Sequence, residues 1–156
     1  MKRLILGLLL ARPLLACPFD FHLWLEVAPN RDSAQHFGLE IDQTMGSPIH
    51  YRFQCPGVRD REGEVSLAES GHFWQALENA GVWELRDDDD GGAEECIYYT
   101  DFDLSQGDRH QQSRWRGLGL APERVVQVLL RQPWLKDLTL GLDWAQSQKS
   151  RPQREE

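Results

Sequence analysis

Residues 19–27 read Phe19-Asp20-Phe21-His22-Leu23-Trp24-Leu25-Glu26-Val27. Apolar side chains at the odd positions alternate with polar or amphipathic ones at the even positions. Successive side chains of a strand point to opposite faces, so this period of two predicts a strand with one face in the core. Trp24 is the exception within it: it shares the outward parity with His22 and Glu26, so the strand presents an aromatic ring on the face that should be polar. Working outward, Phe37, Leu39 and Ile41 alternate in the same way, Thr44 to Ser47 carries turn chemistry with Gly46, and Ile49, Tyr51, Phe53 and Cys55 resume the pattern. This predicts a hairpin. Centred near Met45-Gly46, it sets His50 opposite Glu40 on the polar face. Pro56 to Gly63 reads as a charged loop, and Val65 with Leu67 as either a brief strand or the entry to a helix.

Ser66 and Glu69 have capping-box spacing. Phe73, Trp74, Leu77 and Ala80 recur at helical spacing, and Gly81 stands where a left-handed residue closes a helix. Val82, Trp83 and Leu85 return to the core. Asp87 to Glu95 holds six acids and two glycines and cannot bury itself, which predicts a solvated loop. Cys96, Tyr98, Phe102 and Leu104 share one strand face, Ser105 to Asp108 turns the chain, and Arg109 to Arg116 is a polar return strand suited to a sheet edge. Pro122 opens a last helix with Val125, Val126, Leu129 and Leu130 as its apolar stripe, and Pro133 stops it. Trp134 to Trp144 packs as an extended or short helical segment. The expected fold class is α+β, an antiparallel sheet with two helices packed on one face, in a single domain spanning residues 17–144 and followed by a disordered tail at 145–156.

At the N-terminus Lys2 and Arg3 precede the apolar run Leu4 to Ala11, and Leu14-Leu15-Ala16-Cys17 forms a small-residue box ending in cysteine. A spanning helix needs about 20 apolar residues, and this stretch is shorter and interrupted by Arg12-Pro13. The box resembles the lipobox of bacterial lipoproteins. That resemblance implies that residues 1–16 are a signal peptide, that Cys17 becomes the lipidated first residue of the mature chain, and that the domain is tethered to the inner or outer membrane of the cell envelope. The competing reading makes Arg3 to Leu10 a buried strand of a cytoplasmic protein.

Losing Lys2, Arg3 and Arg12 with the leader takes the formal charge from −8 to −11. Such a charge disfavours nucleic acid and anionic lipid and selects a neutral or basic protein partner. With Cys17 assigned to lipid, Cys55 and Cys96 are left as an even pair in an oxidising compartment, the requirement for one disulfide; in a reducing compartment they are two buried thiols.

From the first helix onward the layout resembles several small bacterial families in which a helix, a Gly-apolar-aromatic step, a loop, a strand hairpin and a last helix follow in order. The corresponding elements are Phe73 to Ala80, Gly81-Val82-Trp83, Arg86 to Glu95, Ile97 to Arg116 and Pro122 to Arg131. One family of this layout, the emfourin-like proteins, comprises metalloprotease inhibitors, so the resemblance implies an inhibitor-like module. It carries over no functional residue.

The residues themselves offer little catalytic chemistry. Asp87-Asp88-Asp89-Asp90-Gly91-Gly92 is rich in oxygen ligands, but in an EF-hand frame it places Arg86 at the first ligand position or Tyr98 at the last. The five histidines are scattered, and none stands in a short metal-ligand spacing. No nucleophile elbow or phosphate-binding glycine loop is present. No catalytic residue, metal ligand or cofactor is therefore assigned. The leading expectation is a noncatalytic envelope lipoprotein that binds a protein through Trp24, Trp115 and the acidic run Asp87, Asp88, Asp89 and Asp90. The alternatives are a metal-assisted hydrolase, which requires His22, His50 or His110 to converge with each other or a carboxylate within about 5 Å, and a cytoplasmic immunity or regulatory protein with an uncleaved N-terminus.

Overall fold

A computed structural model describes residues 20–29, 35–87, 99–116, 120–136 and 138–149. Residues 1–16, Cys17, Asp88 to Asp90 and Cys96 lie outside the described residues. The elements are β1 (Phe21–Ala28), β2 (Phe37–Gln43), β3 (Ile49–Cys55), β4 (Val58–Val65), α1 (Leu67–Asn79), β5 (Tyr99–Gln106), β6 (Arg109–Arg116), α2 (Leu120–Leu130) and α3 (Leu138–Lys149), with 3-10 turns at Val82–Glu84 and Pro133–Leu135. The fold class is α+β. Six strands form one sheet in the order β4-β3-β2-β1-β5-β6, every neighbouring pair antiparallel.

The alternation of residues 21–27 is realised in full: Phe21, Leu23, Leu25 and Val27 are buried and the intervening residues half-exposed. β1 is interior to the sheet, paired on both sides, and Asp20 just before it anchors two turns. Its Oδ1 accepts from the Met45 amide at 2.7 Å and its carbonyl from the Gly107 amide at 3.2 Å.

Where two helices were expected, three are present among the described residues. Phe73, Trp74 and Leu77 of α1, Val125 and Leu129 of α2 and Leu138 of α3 all join the one buried cluster formed with the odd-numbered side of β1. α3 extends to Lys149, beyond the Trp144 boundary expected for the domain. None of these helices is long and apolar enough to cross a membrane. Ser66 caps α1 as its spacing predicts: its Oγ accepts from the Glu69 amide at 3.4 Å and donates to Glu69 Oε2 at 2.7 Å. Gly81 takes the left-handed conformation, φ 81°.

Three sequence expectations need correcting. Residues 56–63 are not a loop. Pro56-Gly57 makes a tight turn with Gly57 at φ 77°, and the charged stretch after it is β4, an edge strand that buries little beyond Val65. The β2–β3 register is centred on Gly46, so His50 pairs with Asp42 and Arg52 with Glu40. The turn explains the shift: the Ser47 amide donates to the Thr44 carbonyl at 2.9 Å, and the buried Gln43 side chain donates to the Ser47 carbonyl at 2.6 Å, so that Asp42 and His50 form the last pair of the ladder. Trp115 is fully buried, its ring 6.0 Å from that of Phe102. It therefore belongs to the core and not to a binding surface: β6 is an edge in its backbone pairing, yet Trp115 points under the helices while Arg114 faces the opposite side.

Cys55 is a free, buried cysteine, and burial pushes its thiol pKa up. Cys96, its expected disulfide partner, lies outside the described residues. The ladder aligns Thr100, Val27, Phe37 and the Cys55 end of β3 in one row. Three strand spacings of about 4.8 Å thus separate Cys55 from the nearest described part of β5.

Two outcomes follow. A Cβ on Gly141 would lie 2.7 Å from the Phe37 ring, so Gly141→Ala should destabilise the fold by about 1–3 kcal/mol in denaturant titration despite alanine's better helix propensity. Because the unfolded Cys55 thiol ionises first, its contribution is full at neutral pH and is lost as pH rises from the ordinary thiol pKa to the raised folded one. Relative to Cys55→Ala, the parent chain should lose stability across that alkaline window, read from melting temperatures.

Candidate functional site

The even-numbered side of β1 faces away from the helices, and the register assembles the side chains that share it. One row across the sheet reads Glu64, His50, Asp42, His22, Ser105, His110. The next reads Glu62, Arg52, Glu40, Trp24, Asp103, Gln112, and a third Gln54, Gly38, Glu26, Asp101, Arg114. Directly paired residues share a face in an antiparallel sheet, so these rows form one continuous surface. It carries seven carboxylates (Glu26, Glu40, Asp42, Glu62, Glu64, Asp101 and Asp103) against the guanidiniums of Arg52 and Arg114.

Trp24 lies near the middle of this surface, on an interior strand. Its indole leans over Gly38 of β2, where an added Cβ would sit 3.1 Å from Cη2. The absence of a side chain at 38 is what lets the ring lie down on the sheet. The helices leave it uncovered, since α3 packs its Gly141 against Phe37 on the other side. Beside Trp24 a groove of about 630 Å³ is lined by His22, Asp87, Asp101, Asp103, Gln112 and Arg114, among others. Another, of about 480 Å³, lies over β2 to β4 and is lined by Glu40, Asp42, His50, Arg52, Glu62 and Glu64 with neighbouring residues.

Of the acidic run, Asp87 is the described member. Its Oδ1 accepts from the Arg114 amide at 2.7 Å, satisfying an outward-facing donor of the edge strand β6. Arg114 in turn pairs with Asp101. The run therefore departs from the rim of the open face. Asp88 to Asp90 lie outside the described residues, as does Cys17, the lipidation site expected from the lipobox resemblance.

Four histidines on this side each face a carboxylate: His22 with Asp42 (2.6 Å), His36 with Glu26 (3.6 Å), His50 with Glu64 (3.3 Å) and His110 with Asp103 (3.1 Å). His22, His50 and His110 share a row, but His22 stands two strands, about 10 Å, from each of the others and His50 and His110 are four strands apart, so they do not meet at a common point. What does converge is His22 with two carboxylates: one nitrogen of His22 and one oxygen each of Glu40 and Asp42 lie within 4.8 Å of one another. Sequence spacing hides this group because His22 and Asp42 are twenty residues apart and only the β1–β2 register joins them. The signal available was parity: all three lie on the polar side of their strands.

No family model matches the chain, and no curated protein matches it either.

The two tryptophans singled out by sequence should behave oppositely in denaturant titration. Trp115→Ala should cost about 3–5 kcal/mol, as emptying a core aromatic site does. Trp24→Ser should cost less than half as much, and Arg52→Ala under about 1 kcal/mol, since the exposed pair of Arg52 with Glu40 at 3.6 Å is screened by solvent.

Proposed function

We propose that this chain is a noncatalytic binding module, inhibitor-like in character, that docks a neutral or basic protein surface onto its open sheet face. The observation that carries the reading is Trp24, a large half-buried ring on an interior strand, left uncovered by the helices among the described residues and bordered by Glu26, Glu40, Asp101 and Asp103. Aromatic rings ringed by polar groups are the residues that most often dominate binding energy at protein interfaces. The surrounding carboxylates add steering: a positively charged partner is drawn in by the field of the whole face, and that attraction falls as salt rises. Grooves on both sides of Trp24 are lined chiefly by polar and charged side chains, which suits a broad protein contact better than a small apolar ligand.

The same reading places the module in the cell envelope, tethered through a lipid on Cys17 and acting on a partner at or near the membrane. The lipobox resemblance supports the tether, and the acidity of the mature chain is compatible with a surface held away from anionic lipid rather than laid upon it.

Two experiments test this. A partner copurified from detergent-solubilised envelope should be lost with Trp24→Ser and weakened by Asp101→Asn with Asp103→Asn, with the parent interaction falling as salt is raised. Retention by Trp24→Ser would refute the docking face. Labelling with a palmitate analogue should mark the parent chain and not Cys17→Ser; an unlabelled parent would refute the tether.

A further inference from the structure

We propose that His22, Glu40 and Asp42 form a three-ligand site for a divalent transition ion of the zinc type, with water in the remaining coordination position. The inference goes beyond the docking reading and does not rest on it.

The site begins with the backbone. His22 and Asp42 are direct cross-strand partners on β1 and β2, and Glu40 is the next residue of β2 on the same face. Both strands are interior and paired on both sides, so the three Cα positions are held by the sheet and not by a loop. The ligand atoms already lie within 4.8 Å of one another. Donors around a tetrahedral zinc stand roughly 3.3 Å apart, as bond lengths near 2.0–2.2 Å require, so small rotations of these half-buried side chains complete the geometry.

The donor set selects the ion. An imidazole nitrogen with two carboxylates suits zinc and its first-row neighbours, whereas calcium needs six or more oxygens. Charge favours occupancy as well: two carboxylates held this close repel, and a dication relieves them. Arg52 Nη1 lies 3.6 Å from Glu40 Oε2, which leaves Glu40 its other oxygen. Asp42 Oδ1 lies 2.6 Å from His22 Nδ1, and the ion takes the place of the hydrogen between them. A neutral ring then carries its proton on Nε2, and a protonated ring releases one proton to solvent, so binding weakens in acid. The histidine pairs with Glu64 and Asp103 lack this convergence: among the described residues, the group at His22 alone brings three such ligands together. Trp24, paired with Glu40 across the strands, stands beside the site and reports on it.

The test uses the full, untagged chain with Cys17 and Cys96 replaced by Ser so that these thiols do not compete, titrated with zinc alone by calorimetry and with cobalt(II) alone by absorption and tryptophan emission. One ion per chain should bind. His22→Ala and Asp42→Asn should each weaken binding by at least about tenfold, Glu40→Gln should also weaken it, and His50→Ala and His110→Ala should leave it unchanged. Cobalt should quench an emission component that Trp24→Phe removes, while that variant keeps its affinity for zinc. The proposal is overturned if the parent binds no more zinc than the His22→Ala, Glu40→Gln, Asp42→Asn triple variant, or if His50→Ala weakens binding as much as His22→Ala does. Melting temperatures of the variants, whose side chains are all on the solvent side, separate loss of ligand from loss of fold.

Discussion

The pairing of β1 with β2 on one side and β5 on the other governs the molecule. A strand so placed has no freedom to slip: a shift of one residue would bring Leu23 and Leu25 into water and drive His22, Trp24 and Glu26 into a core already filled by Phe73, Leu77 and Leu129. The same constraint that buries the odd-numbered residues therefore fixes every even-numbered one on the open face. Core and surface are two consequences of a single register.

The parts of this arrangement that were legible in the sequence are those set by local periodicity. The alternation of Phe21 to Val27 identifies the central strand, Ser66 with Glu69 marks the start of the first helix, and Gly81 marks its end, because each signal is carried by residues a few positions apart. The features that escaped depend on tertiary pairing. The charges of Arg59 to Glu64 look like loop chemistry, but an edge strand with one face in water tolerates them, and the Pro56-Gly57 turn was the sign that the chain reverses there. Trp115 looks exposed on a polar strand until the helices are placed over its side of the sheet. His22 and Asp42 meet only through the β1–β2 register, and the connection between those strands carries no tight-turn signal that would have fixed it.

The open face also shows how an acidic sheet surface is kept compatible with folding. Histidines and guanidiniums are distributed among the carboxylates so that most acids face a cationic or hydrogen-bonding partner across a strand or along a diagonal. At exposed sites such pairs contribute little to stability. Their effect is to hold side chains in place around Trp24. At one point, where Glu40 and Asp42 both stand within reach of His22, the pattern changes from paired charges to the three-ligand cluster proposed to hold an ion. Gly38 contributes differently: with no Cβ there, the indole of Trp24 lies against the backbone instead of standing away from it.

Cross-strand proton contacts measured by NMR in the folded chain test this account most directly. The register predicts that the backbone protons of Trp24 lie near those of both Glu40 and Asp103. Hα–Hα and amide–amide contacts shifted from those partners to Leu39 or Ile41, and to Phe102 or Leu104, would mean that the even-numbered side of β1 faces the core. The open face and everything built on it would then be wrong.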